Sequence, residues 1–194
     1  MKKLLIFFLA IFLSCGSSNS VAKNEKSSEN TTSFSLGPHR EPPTGVYQKD
    51  MLLGEFQREE LEEEPFSRWF ESGYSDYDPN DEAMQTIKEN ISDYEITLVM
   101  GTWCVDSKRE TPKFFKILDE ADYDTEQLTA IAVDTNKDAP GNIEKDLDAR
   151  RVPTIIFYKN GKEINRFVEY PQESIEEDIA KIVSGEDYSH SYAE

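Results

Sequence analysis

Cysteine occurs twice in this chain, at Cys15 and Cys104, and the two stand in unlike surroundings. Cys104 lies in Gly101-Thr102-Trp103-Cys104-Val105-Asp106-Ser107-Lys108. The run before it, residues 96–100, is apolar and β-branched and predicts a buried strand. The stretch after it, 107–120, places Phe114, Phe115, Ile117 and Leu118 inward and predicts a helix. A thiol at such a strand-to-helix junction meets unpaired backbone N–H groups and the positive end of the helix dipole, and both favour the thiolate. The thiolate is the attacking species in disulfide exchange. Lys108 and Arg109 add positive charge nearby, and Asp106 opposes them. His39 and His190 fall in expected tails, and no Cys/His group has metal-ligand spacing. The chemistry on offer is therefore that of one thiol, with no metal and no cofactor implied.

Cys15 belongs to a different kind of segment. Lys2-Lys3 is a short basic start, and residues 4–13 are an unbroken apolar run. That run is too short to span a bilayer and has the length of a secretory signal core. It ends in Leu13-Ser14-Cys15-Gly16, which resembles the bacterial lipobox, although Phe12 stands where that pattern prefers leucine. The resemblance implies cleavage before Cys15 and acylation of its thiol, so that several acyl chains hold the protein on a bilayer. The implied location is the exported face of a bacterial membrane, periplasmic or on the outer membrane. A plain secretory signal containing a chance cysteine is the alternative. If Cys15 carries lipid, Cys104 is the one free thiol of the mature chain.

The elements that must position Cys104 follow from pattern and charge. The formal net charge is −18, which excludes a nucleic-acid partner because no basic stripe is available to neutralise phosphates. Residues 15–45 are rich in Ser, Asn, Lys, Glu and Pro without apolar periodicity and read as a tether. Residues 46–78 form an extension. Its acidic part, 55–64, is expected to be helical with a solvated face, and Phe66, Trp69, Phe70, Tyr74 and Tyr77 form an aromatic cluster. That cluster is read as extra core packed on the main domain, with a substrate-facing wall beside the active site as the other reading. Asp78-Pro79 reads as a helix start, with Asp78 as N-cap. Further strands are expected at 128–134, 154–158 and 162–168, the last two joined by an Asn160-Gly161 turn. Helices are expected at 142–150, from Ile143 and Leu147, and over Ile175, Ile179, Ile182 and Val183, closed by Gly185. Residues 186–194, with Tyr188 and Tyr192, read as a loose tail. The order from residue 79 is α-β-α-β-α-β-β-α, an α/β domain with a mixed sheet and helices on both faces.

With these elements in order, residues 80–185 resemble the thioredoxin family. Trp103-Cys104-Val105-Asp106-Ser107-Lys108 is similar to the family's Trp-Cys-Gly-Pro-Cys-Lys element. Pro112, eight residues after the cysteine, matches its helix-kinking proline, and Val152-Pro153-Thr154 matches its cis-proline segment. The stretch Phe157-Tyr158-Lys159-Asn160-Gly161-Lys162 resembles its strand and hairpin. The resemblance implies a thioredoxin-like three-layer sandwich over 79–185, here with an N-terminal helical extension. It further implies a nucleophilic Cys104 flanked by Trp103, and a cis Pro153 facing the cysteine along an edge where an extended substrate pairs.

The departures from the family are specific. Its second cysteine is Ser107, which cannot resolve a mixed disulfide internally. Its buried acid, six residues before the nucleophile, is Leu98, and a family glycine is Glu169. The expected activity is monothiol exchange on protein disulfide or thiol substrates, with an external thiol releasing Cys104. A non-catalytic binding module on the same scaffold is the second reading.

Overall fold

The computed structural model describes residues 46–48 and 51–193. The leader, Cys15, His39 and the whole tether lie outside them. Ten regular elements are described. The strands are β1 (Val46–Gln48), β2 (Met51–Glu55), β3 (Glu95–Met100), β4 (Leu128–Ala132), β5 (Thr154–Lys159) and β6 (Lys162–Val168). The helices are α1 (Ser67–Ser75), α2 (Asp81–Asn90), α3 (Val105–Glu120) and α4 (Ile175–Ser184).

The strands form one mixed sheet in the order β1-β2-β4-β3-β5-β6. β3 is central. It pairs parallel with β4, with Val99 opposite Ile131, and antiparallel with β5, with Leu98 opposite Ile155. Alternation along these strands feeds two faces. Ile96, Leu98, Met100, Ala130, Ala132, Ile155 and Phe157 join residues of all four helices in the larger apolar cluster. Val99, Ile131 and Val133 face the other way and pack with Cys104, Ala139 and Val152. The smaller face is covered by short 3-10 turns at Pro140–Asn142 and Lys145–Leu147.

Those turns correct the helix expected over 142–150. Gly141, Asn142 and Asp148 have positive φ, which interrupts any helical run. Ile143 is 43% exposed, so the apolar pair that suggested a helix is not a buried face. The helix expected to start at Asp78-Pro79 instead takes Asn80 as its N-cap, whose Oδ1 accepts from the Glu82 and Ala83 N–H groups.

The extension is corrected at its start. It opens with the β1-β2 hairpin rather than a helix, and β2 adds antiparallel to β4. The acidic stretch contains only a 3-10 turn, Arg58–Leu61. α1 then carries the aromatic cluster onto α3. Phe66 and Phe70 are buried, and the rings of Phe70 and Phe115 meet edge to face at 5.8 Å. Gly73 permits this approach, because a Cβ there would lie 3.0 Å from the Pro112 ring. The cluster contacts Phe115 and, through the Tyr74 hydroxyl at 2.6 Å, Asp119. Both lie in the C-terminal half of α3, so the extension is core for the helix whose other end carries Cys104.

The tail is also corrected. Tyr188 is buried and its hydroxyl donates to Asp178 Oδ2 at 3.0 Å. Asp178 itself is fully buried at the foot of α4 and accepts from the Gln172 N–H at 2.8 Å. Burial raises the Asp178 carboxyl above the usual carboxylate range, against these donors.

Candidate active site at the start of α3

Cys104 is the N-cap of α3, with extended backbone, and its carbonyl accepts the first helical bond from Lys108 at 3.0 Å. Its N–H closes a tight turn back to the Gly101 carbonyl at 2.9 Å. The side chain is 9% exposed, and Sγ donates to the Val152 carbonyl at 3.2 Å. The Val152–Pro153 peptide bond is cis. Cys104 and Pro153, distant in sequence, therefore meet through Val152. Among the described residues Cys104 is a free thiol.

Each flanking residue is held in place. Trp103 Nε1 donates to the Val133 carbonyl at 2.9 Å, and Lys137 Nζ lies 4.9 Å from the indole centroid. The indole covers Gly101 so closely that a Cβ there would sit 2.6 Å from Nε1. Thr102 Oγ1 accepts from the Leu52 N–H at 3.2 Å, so the β2 strand that pattern reading missed braces the cysteine loop. No local sequence signal marks that contact.

Ser107 is fully buried in the first turn of α3, and its Oγ accepts from the Gly101 N–H at 3.2 Å. It fastens the loop to the helix, which is a structural hydrogen bond rather than a free nucleophile. Leu98 is fully buried in β3. The expected contribution of Arg109 to the thiol changes, because Arg109 is bound by Asp106 at 2.7 Å and by Glu110. Lys113 completes the neutralisation of the buried Glu110 at 3.2 Å. Val105, directly after the cysteine, is 74% exposed, leaving an apolar contact beside it. Among the described residues no three His, Cys, Asp or Glu side chains gather as metal ligands.

Beyond Pro153, Glu169 has φ 66 and its N–H donates to the Pro153 carbonyl at 2.7 Å. Arg151 pairs with Glu169 at 3.1 Å. Arg151 and Tyr192 carried no sign of a role in the sequence, since their partners are set by the return of the tail.

A family model described as Thioredoxin matches residues 58–182. No curated protein matches the chain. Among solved structures, a protein of unknown function from Pseudomonas aeruginosa is similar at 14% identity and a TM-score of 0.45, over 61% of this chain and 81% of that one. An HIV epitope-scaffold is similar at 16% identity and a TM-score of 0.45, over 62% of this chain and 83% of that one. Thioredoxin O2 from Arabidopsis thaliana in the oxidized state is similar at 19% identity and a TM-score of 0.30, over 45% of this chain and 72% of that one. The family model takes in the cysteine loop, α3, the cis-proline and most of α4, and its span is well over half of the sequence: this chain belongs to the thioredoxin family.

Proposed function

We propose that this protein carries out thiol–disulfide exchange through Cys104 alone, and that an external thiol completes each cycle. The observation that carries the reading is the placement of the Cys104 thiol at the N-cap of α3, 3.2 Å from the carbonyl beside the cis-proline. The step begins with loss of the Cys104 proton. The thiolate then attacks one sulfur of a substrate disulfide, forms the mixed disulfide and expels the other sulfur as a thiolate, which takes up a proton. Ser107 cannot supply the second attack. One external thiol displaces substrate or Cys104 from the mixed disulfide, and a second completes the reduction, so two external thiols become one disulfide. If substrate is released by re-forming a different disulfide, the same intermediate gives isomerisation.

The test is capture. Incubating the reduced full chain with a peptide closed by an internal disulfide, then quenching in acid, should give an adduct mapped to the Cys104 peptide and removed by dithiothreitol. Alkylation of Cys104 by iodoacetamide with no adduct from the peptide disulfide would sink the reading. It would leave the scaffold as a module that binds its partner without covalent chemistry.

We also propose that the protein is exported and held on a bacterial membrane by acyl chains on Cys15. The sequence of residues 1–16 supports this, through its basic start, apolar core and Ser14-Cys15-Gly16 end. In a bacterial host, an alkyne-palmitate label should enter the wild-type chain and not Cys15→Ser, and the variant should leave the membrane fraction. Equal labelling of both would refute the anchor.

A further inference from the structure

Residues 188–192 are held against the domain rather than free in solvent. Tyr188 is the anchor: the ring is buried, the hydroxyl is bound to Asp178, and its carbonyl accepts from Asn165 Nδ2 at 2.9 Å. Past Ser189 the contacts change character. Ser191 Oγ donates to the Tyr170 carbonyl at 2.7 Å. The Tyr192 hydroxyl donates to Glu169, the Arg151 guanidinium lies 3.7 Å from the Tyr192 ring centroid, and Tyr170 meets that ring edge-on at 5.6 Å.

Glu169 is the centre of this arrangement. It occupies left-handed backbone at φ 66, where a side chain with a Cβ is strained and glycine is not. Strain of that kind persists where the side chain has a use. Here its carboxylate binds Arg151 on the cis-proline side and Tyr192 on the tail side, while its N–H holds the Pro153 carbonyl. Arg151 immediately precedes Val152, whose carbonyl accepts the Cys104 thiol. The tail is thus fastened to the two residues that frame the segment facing the nucleophile. Its outer contacts are surface polar and cation–π interactions, which are individually weak.

We propose that residues 189–193 are a strap that closes over the cis-proline edge and restricts which disulfides reach Cys104. Tyr188 is the fixed point, and the Tyr192–Glu169–Arg151 contacts are the latch. A substrate segment that needs the edge must displace Tyr192, whereas a small reagent reaches the sulfur with the latch closed. The strap rests on the exchange reading above, because it regulates that same thiol.

The test uses the full chain, with Tyr192→Ala and Glu169→Gly as two independent ways to open the latch. Glycine suits the backbone at 169, and Tyr192 is only partly buried and held by surface polar and ring contacts rather than by the core, so both variants should fold. Two probes are compared at one pH: iodoacetamide, which is small, and the peptide closed by an internal disulfide. Opening the latch should raise the rate of the Cys104–peptide adduct roughly five- to tenfold in both variants, as expected when a minor open state becomes the major one. The iodoacetamide rate should stay at the wild-type value. An unchanged or slower peptide rate in the variants would overturn the strap and leave the exchange reading intact. An equal rise with both probes would also overturn it, since the tail would then shield the sulfur without selecting among reagents. Alkylation without any peptide adduct, in wild type and variants alike, would remove the exchange reading and the strap with it.

Discussion

Ser107→Cys should convert a one-thiol site into a self-resolving one and shorten the life of the Cys104 mixed disulfide by at least about a thousandfold at millimolar external thiol. Cys104 is the N-cap of α3 and Ser107 is in its first turn. Residues three apart on a helix lie about 5–6 Å apart between Cβ atoms. That spacing needs only local adjustment to reach disulfide geometry. A cysteine at 107 would attack Cys104 Sγ, form the internal disulfide and expel the substrate as a thiolate. The reaction becomes intramolecular, and effective concentrations for well-placed groups far exceed millimolar. The substitution has a cost. Ser107 Oγ accepts from the Gly101 N–H, and sulfur is a poorer acceptor, so about 1 kcal/mol of stability should be lost. The readout is intact mass after capture with the peptide disulfide. Wild type should hold its adduct until dithiothreitol is added, and Ser107→Cys should shed it unaided and end two hydrogens lighter than its reduced form. An adduct equally long-lived in both would mean that position 107 cannot reach the sulfur once substrate is attached.

The features that make this experiment readable were written locally in the chain. Trp103-Cys104, Pro112, Val152-Pro153-Thr154 and Asn160-Gly161 are short signals with fixed backbone consequences, and strands β3 to β6 follow from apolar runs between them. The elements that were missed depend on distant partners. β2 contains a glycine at positive φ and ends in Glu55, so neither alternation nor composition marks it. It is a strand because β4 offers an edge. The region 142–150 has helical apolar spacing, but its positive-φ residues break the backbone and leave Ile143 half in solvent. Tyr188 looked like tail because its partner is a buried carboxylate, and sequence pattern does not disclose that Asp178 points inward. Local signals place Cys104 at the start of α3, and tertiary closure decides what surrounds it.

Ser107 and Leu98 are best understood together. A serine at 107 needs no proton acceptor, so the proposed one-thiol cycle has no use for a buried acid in β3. Leucine contributes apolar burial there instead, worth about 2 kcal/mol. On the proposed one-thiol cycle, both positions lack only what the resolving half-reaction needs, and the attacking half is kept. That half consists of a thiol at a helix N-cap, with Trp103 and the cis-proline segment around it.

Leu98→Asp should therefore destabilise the fold by about 3–5 kcal/mol near neutral pH. Leu98 is fully buried, between Ala130 on β4 and Ile155 on β5, inside the larger apolar cluster. A carboxylate in that position is disfavoured as an anion, so its folded pKa rises above the unfolded value of about 3.9. The sign then follows from linkage. Below about pH 4 the acid is neutral in both states and the penalty is smallest. As pH rises toward the raised folded value, the unfolded chain releases its proton first, and stability falls by up to about 1.4 kcal/mol per pH unit. Urea unfolding of wild type and variant at pH 5, 6 and 7 measures the slope. A loss under about 1 kcal/mol that does not change with pH would mean that water already reaches this strand. In the Ser107→Cys background, an acid at 98 stands where the family resemblance implies a proton acceptor for the second thiol. The double variant should then shed its captured peptide faster than Ser107→Cys alone, with the gain largest once the carboxyl is ionised. A double variant no faster than the single one would separate the two losses and show Leu98 to be a packing residue only.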